Sequence, residues 1–180
     1  MKVNEIFYSL QGEGHHSGTP AVFIRFSGCN LKCSFCDTEH QSGEEMSEEE
    51  IIQEACRYPA SHVVLTGGEP SLQITAGFID RLHEAGKYVQ IETNGTNPLP
   101  HNIDWVTCSP KPGGRTMVVN PNELKVVYTG QDLTPYEEMN AGCHYLQPCS
   151  CSNTEEVIDY ILKHPLWKLS LQTHKFLNIR

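Results

Sequence analysis

The chain has 180 residues, 38% of them hydrophobic and 19% charged, which is enough for one domain with a sizeable core and too few for two independent ones. Thirteen Lys and Arg against 22 Asp and Glu give a net charge of −9, and the basic residues are scattered, so the basic footprint of a phosphate-backbone binder is missing and no direct nucleic-acid contact is expected. No apolar run approaches the roughly 20 residues of a membrane span, no h-region follows Met1-Lys2-Val3-Asn4-Glu5, and eight Cys without a signal peptide point to a reducing cytoplasmic setting and to metal or cluster chemistry rather than disulfides.

Residues 3–9 mix aromatic and β-branched side chains and predict a short extended segment. The glycine-rich stretch 11–18 cannot be regular structure, since its glycines favour turns and close backbone approach. Residues 20–27 are near-continuously apolar, as a buried parallel strand is, which makes Arg25 an anomaly. A charge in a buried strand needs a partner, either a nearby Glu or a bound carboxylate that a guanidinium grips with two bonds. Ser47-Glu48-Glu49-Glu50 is a capping box opening a helix over 47–58, stopped by Pro59; Cys56 is expected to be a buried thiol on its apolar side with Ile52.

Residues 62–66 predict the second confident strand, with Gly67-Gly68-Glu69-Pro70 at its C-terminal end, where parallel α/β folds bind ligands. Residues 75–85 carry Phe78, Ile79, Leu82 and Ala85 at helical spacing, ended by Gly86. Strands follow over 88–92 and 103–108, the latter ending in Ser109-Pro110-Lys111, then a loop over 112–122. Two more strands are predicted over 123–128 and 143–147. A helix capped by Thr154 runs to His164 with Val157, Ile158, Ile161 and Leu162 on one face. A last strand over 167–172 and a short tail complete roughly seven strands and three good helices. The βαβ alternation implies an α/β fold, a partial parallel barrel with helices pared away, over residues 1–180 as one domain.

The chemistry concentrates in Cys29-Asn30-Leu31-Lys32-Cys33-Ser34-Phe35-Cys36. A four-iron cluster is normally held by four Cys, so a triplet with no fourth local Cys leaves one iron open for chemistry. A zinc site would recruit a fourth ligand to close its tetrahedron, and His40 stands four residues past Cys36, so spacing alone leaves zinc open. Cys143, Cys149 and Cys151 match no metal-site spacing.

The triplet, read as Cys-x3-Cys-x-aromatic-Cys, resembles the signature of the radical S-adenosylmethionine (SAM) superfamily. Within it the chain is similar to the 7-carboxy-7-deazaguanine synthase family of queuosine and deazapurine biosynthesis. Six further stretches carry that resemblance: Phe7-Tyr8-Ser9-Leu10-Gln11-Gly12-Glu13-Gly14, Cys36-Asp37-Thr38, Thr66-Gly67-Gly68-Glu69-Pro70, Glu92-Thr93-Asn94-Gly95, Ser109-Pro110-Lys111 and Leu171-Gln172-Thr173-His174-Lys175. They span the chain.

The resemblance implies the reduced barrel of that family and a radical lyase-type ring contraction of 6-carboxy-5,6,7,8-tetrahydropterin to 7-carboxy-7-deazaguanine with loss of ammonia. It implies Cys29, Cys33 and Cys36 as ligands of a 4Fe–4S cluster and Thr38 as a ligand of Mg2+. SAM contacts would fall on Phe35, Cys36 and Asp37, on Gly68 and Glu69, on Ser109, Pro110 and Lys111, and on Gln147, Pro148, Cys149 and Ser150. In that set Phe35 lies against the adenine and Glu69 orients the SAM ammonium. Substrate contacts would fall on Leu10, Gln11, Gly12, Glu13, Arg25 and Thr66, with the chain-terminal carboxylate of Arg180 and, more weakly, His174. An electron donor such as flavodoxin or ferredoxin and a homodimer are implied partners. Two rivals share the triplet: a radical SAM activase acting on a partner protein, which needs a docking surface instead of a carboxylate clamp, and a small zinc or iron–sulfur module, which needs no SAM cleavage.

Overall fold

The computed structural model describes residues 1–36 and 38–180; Asp37, an expected SAM contact, lies outside the described residues. Among the described residues nine strands form one open sheet in the order β3-β1-β2-β4-β5-β6-β7-β8-β9. Strands β1 (Lys2–Leu10), β2 (Pro20–Phe26) and β3 (Glu44–Glu45) make its antiparallel edge, β1 pairing with both others. From β2 onward every neighbour is parallel: β4 (His62–Gly67), β5 (Tyr88–Thr93), β6 (Trp105–Cys108), β7 (Glu123–Tyr128), β8 (Cys143–Pro148) and β9 (Trp167–Leu169). The count exceeds the expected seven partly because β3 is a two-residue edge pairing in an acidic stretch, too short to leave a periodic signal.

Alternation along the strands divides the sheet into two faces. Val22, Ile24 and Phe26 of β2, Val63 and Leu65 of β4, and Val89 and Ile91 of β5 pack in one cluster with Ile51, Ile52 and Ala55 of α1 (Glu48–Cys56) and Phe78, Ile79 and Leu82 of α2 (Ala76–Glu84). A second cluster joins Leu124, Val126 and Leu146 to Val157 of α4 (Thr154–Lys163) and Trp167. The opposite, concave face carries what is left at alternate positions. There Phe7, Ala21, Phe23 and Val64 form a small apolar floor.

Several local expectations change. The capping box at Ser47 is present, with Ser47 Oγ accepting from Glu50 N and the Glu50 side chain accepting from Ser47 N. Cys56, however, is exposed: the buried stripe of α1 is Ile51, Ile52 and Ala55, and the next residue is rotated about 100° off it. Asn153, not Thr154, occupies the N-cap of α4, without a side-chain cap bond; the Thr154 hydroxyl instead donates to Cys151 O. On that helix Val157 is buried, but Ile158 and Leu162 reach water at 39% and 77% exposure. Two short helices were missed, α3 (Thr134–Glu137) and, within the expected tail, α5 (Thr173–Leu177). Both are shorter than any periodic pattern can show.

The glycine-rich loop after β1 turns beneath the N-terminal ends of the strands. The His16 ring packs 4.8 Å from His62 and 4.7 Å from Trp105, and His15 stacks on Trp105 at 4.6 Å. His62, Tyr88 and Trp105 open β4, β5 and β6, so the loop stops the bottom of the concave face. What remains open is the C-terminal end.

Candidate active site

At that end a cavity of about 400 Å3 lies within the usual range for small-molecule sites. The cysteine loop forms one wall. Its backbone is tied down where Gly28 N donates to His40 O (2.7 Å) and Glu69 N donates to Gly28 O (2.8 Å). Asn94 Nδ2 donates to Asn30 Oδ1 (3.0 Å) and Asn30 Nδ2 to Thr96 Oγ1 (2.7 Å). Cys29, Cys33 and Cys36 all line the cavity. Burial pushes the Cys33 thiol up, opposed by the Lys111 ammonium and reinforced by Cys29 and Cys36, so the three sulfurs share one electrostatic neighbourhood. No three Cys, His, Asp or Glu among the described residues converge on the space of one metal ion; thiolates on three different irons of a cluster need not.

Of the residues expected to contact SAM, Phe35, Gly68, Ser109, Lys111, Gln147, Pro148, Cys149 and Ser150 line the same cavity. The Lys111 ammonium donates to Ser109 Oγ (2.7 Å) and stands 6.0 Å from the Phe35 ring centre, while burial draws its pKa down. After β8 the backbone turns sharply, with Ser150 and Cys151 left-handed at φ 48° and 63°, and Asn153 Oδ1 accepts from Cys149 N (2.9 Å). Gly68 is required by contact: a Cβ there would strike the Gly28 carbonyl.

Two expected contacts do not reach the cavity. Pro110 is buried behind the wall. Glu69 has no exposed surface; its carboxylate accepts from Ser71 N (3.1 Å), Ser71 Oγ (2.6 Å), Thr93 Oγ1 (2.7 Å) and Asn94 N (2.7 Å). It ties the turn after β4 to the turn after β5 and does not line the cavity. The motif's spacing placed the residue correctly but could not say which way the side chain turns.

The rest of the lining carries charge. Arg25, on the concave side of β2, meets Glu5 Oε1 at 3.0 Å through Nε, donates through Nη1 to Thr38 Oγ1 (3.3 Å), and lies over the Phe7 ring at 5.6 Å. Arg180 comes back to the same place, pairing with Glu5 and lying 4.9 Å over Phe7. Glu13 is ion-paired with Lys125 and accepts from Gln172 Nε2 (3.0 Å); Glu92 Oε1 receives Gln11 Nε2 (3.0 Å) and meets Lys125 Nζ at 3.4 Å. Burial would raise the Glu13 carboxyl, yet the Lys125 ammonium outweighs it and holds the group below its ordinary range. Gly12 admits the closing segment, since a Cβ on it would collide with the His174 imidazole, and Thr173 N donates to Gly12 O (2.9 Å).

Leu10, Gln11, Gly12, Glu13, Arg25, Thr66, Thr38, His174 and Arg180 therefore share one cavity with the three cysteines. Sequence reasoning missed Lys125, Glu92 and Gln172. Lys125 bore a usable signal, a charge inside a buried strand, identical in kind to the one that singled out Arg25.

The model of the radical SAM superfamily matches residues 23–106. A 7-carboxy-7-deazaguanine synthase from Bacteroides thetaiotaomicron is 65% identical over 179 residues, 99% of this chain and 98% of that one. The chain belongs to the 7-carboxy-7-deazaguanine synthase family. A synthase from Burkholderia multivorans is 41% identical over 98% of both chains. The crystal structure of QueE from Escherichia coli superimposes with a TM-score of 0.78 at 30% identity, covering 94% of this chain and 92% of that chain. Membership carries the radical SAM enzyme class and its 4Fe–4S cluster and SAM. The triplet's spacing left a zinc reading open; the family closes it.

Proposed function

We propose that the chain converts 6-carboxy-5,6,7,8-tetrahydropterin to 7-carboxy-7-deazaguanine for 7-deazapurine biosynthesis, with residues 1–180 acting as one unit. The observation that carries the reading is that one cavity brings three cysteines together with Arg25, Glu13 and their partners. An activase acting on a protein would have no use for that charged lining.

Cys29, Cys33 and Cys36 would hold the cluster, with SAM bound beside it in the same cavity. When bound, cluster and SAM together supply hydrogen-atom abstraction. This chain's residues bind, orient and shield. Phe35 and Gly68 flank the SAM side, with Ser109, Lys111 and the stretch Gln147, Pro148, Cys149 and Ser150 completing it. Arg25 grips the substrate carboxylate, its guanidinium already aimed by Glu5. Glu13, kept charged, accepts from the pterin amino and ring N–H groups. The loop carrying Gln11, Gly12 and Glu13, latched by Thr173, keeps bulk water from the reacting ring.

Mg2+ belongs to the finer part of the reading. Thr38 offers one hydroxyl on the cavity wall, compatible with an ion that keeps its waters. Thr38 would hold the ion beside the Arg25 guanidinium, which lies 3.3 Å from that hydroxyl. A flavodoxin- or ferredoxin-type donor, a cytoplasmic location and a homodimer complete the proposal. No helix among the described residues is long and apolar enough to cross a membrane. The apolar side chains left in water on α4 and α5, Ile158, Leu162, Phe176 and Leu177, support pairing of two copies, which light scattering on the purified protein tests.

The decisive experiment is an anaerobic assay of the reconstituted protein with SAM, reductant, Mg2+ and the carboxytetrahydropterin, read by mass spectrometry. Deazaguanine formation in excess of SAM consumed is expected. Cleavage of SAM with the pterin intact would overturn the substrate assignment.

A further inference from the structure

Resting on the reading that the cavity takes a pterin, we propose that Lys125 selects the 4-oxo form of the ring, donating from its ammonium to that oxygen while Glu13 accepts from the adjoining N–H groups. Lys125 projects from β7 onto the concave face with 5% of its side chain exposed, and it lines the cavity. Its ammonium is shared between Glu13 and Glu92, and each of those carboxylates takes a further bond from an amide, Gln172 to Glu13 and Gln11 to Glu92. The wall therefore presents an acceptor and a donor side by side, held in place from behind.

An ammonium has three donors and no acceptor. Glu13, Glu92 and Glu123 keep this one protonated, although burial acts in the opposite sense, so Lys125 cannot become an acceptor by losing its proton. A ligand edge that enters between Glu13 and Lys125 must bring a donor for the first and an acceptor for the second. The 2-amino-4-oxo edge of a pterin runs amino donor, ring N–H donor, carbonyl acceptor, and it meets both demands. A 2,4-diamino ring replaces the acceptor with an amino donor and carries no hydrogen on N3, so it sets N–H against ammonium and a lone pair toward Glu13 in a site with little water to screen either. Sites built on buried hydrogen-bonding groups reject such mismatches far better than apolar pockets do.

The test uses the reconstituted holoenzyme with SAM and two fully oxidised, unreactive probes, 6-carboxypterin and 2,4-diaminopteridine-6-carboxylate, with Kd from pteridine fluorescence. The wild-type protein is expected to prefer the 4-oxo probe by at least about 10-fold, the usual worth of a hydrogen bond to a charged group. Lys125→Met is expected to weaken the 4-oxo probe by a similar factor and to narrow the preference by as much, leaving only the share that Glu13 supplies through the ring N–H. Equal binding of both probes by the wild-type protein overturns the proposal without any variant having to fold. A Lys125→Met protein that weakens both probes alike, preference intact, also overturns it, because a purely structural ion pair would behave that way. Arg25→Met separates this from the underlying reading, since both probes share the 6-carboxylate. If that variant weakens both while the wild type shows no preference, the pterin reading stands and the role of Lys125 falls; if neither probe binds at all, both fall.

Discussion

Replacing Glu69 distinguishes two roles that the sequence motif could not separate. In the structure its carboxylate is wholly buried and bonded to Ser71, Thr93 and the backbone of Asn94, so its work is done before any cofactor binds. Glu69→Gln keeps the shape but places an NH2 where one oxygen stood. With its remaining oxygen facing Ser71 and Thr93, the new donor opposes the Asn94 N–H. One charge-assisted bond is lost and a buried N–H is orphaned, a cost of about 2 kcal/mol. Glu69→Ala orphans more groups and costs about 4 kcal/mol. For a chain of this length each kcal/mol moves Tm by roughly 2–4 °C, so the apoprotein should melt about 4–8 °C lower as Glu69→Gln and about 8–16 °C lower as Glu69→Ala. The assay is thermal unfolding of cluster-free, SAM-free protein by circular dichroism. If Glu69→Gln melts with the wild type and loses only SAM affinity, the carboxylate reaches the SAM ammonium and the argument from burial is wrong.

Gly68→Ala drives a Cβ into the Gly28 carbonyl and pushes the cysteine loop off the turn that supports it; iron content after reconstitution should fall well below the wild-type value while the fold, read by circular dichroism, persists. Arg25→Met removes the carboxylate clamp, so KM for the pterin should rise by about 10- to 100-fold while reductive cleavage of SAM without pterin stays near the wild-type rate; an unchanged KM would refute the clamp. His16 predicts a pH dependence. Burial, His62 and His15 lower its pKa from 6.5 to about 4, and its Nε2 is buried with no hydrogen-bond partner. Between those values the unfolded chain binds the extra proton, so stability falls as pH drops from 6.5 toward 4. His16→Phe keeps the edge-to-face ring packing and should flatten Tm against pH across that window; an unaltered slope would rule the imidazole out as the source.

The strands of the parallel sheet were legible because burial on both faces leaves near-continuous apolar runs, as in β2 and β4. The helices α1 and α2 were legible because each has its own start signal and stripe. What the sequence hid was short or depended on direction. Strand β3 has two residues, α3 four and α5 five, below the length at which periodicity exists. Cys56 and Glu69 were placed on the correct elements and assigned the wrong surroundings, since one residue's rotation off a helical stripe, or the turn of one side chain, decides between water, protein and ligand. The apolar side of α4 was correct as a pattern. Val157 of that side meets the core while Ile158 and Leu162 do not, because a stripe states what can be covered and never what covers it.

The cavity's charged lining gives the more general lesson. Arg25 and Lys125 present one signal, a long cation at an inward position of a buried strand, and the rule that such a charge needs a partner applies to both. Only Arg25 stood in an otherwise apolar run, so only there was the contradiction visible. Lys125 follows Glu123 two residues earlier in β7, and two alternating charges also fit a strand with one face in water. In the fold that face is the concave one, where Glu123 and Lys125 are both buried. Polar alternation in a strand of a parallel sheet, whose other face is already taken by helices, therefore marks a lined cavity more readily than a surface. Applied to β5, the same reasoning selects Gln90 and Glu92, which alternate with the core residues Val89 and Ile91; Glu92 lines the cavity, while Gln90 is buried against His62 and Thr107. Arg25 of β2, Glu92 of β5 and Lys125 of β7 thus carry charge into the cavity from strand to strand.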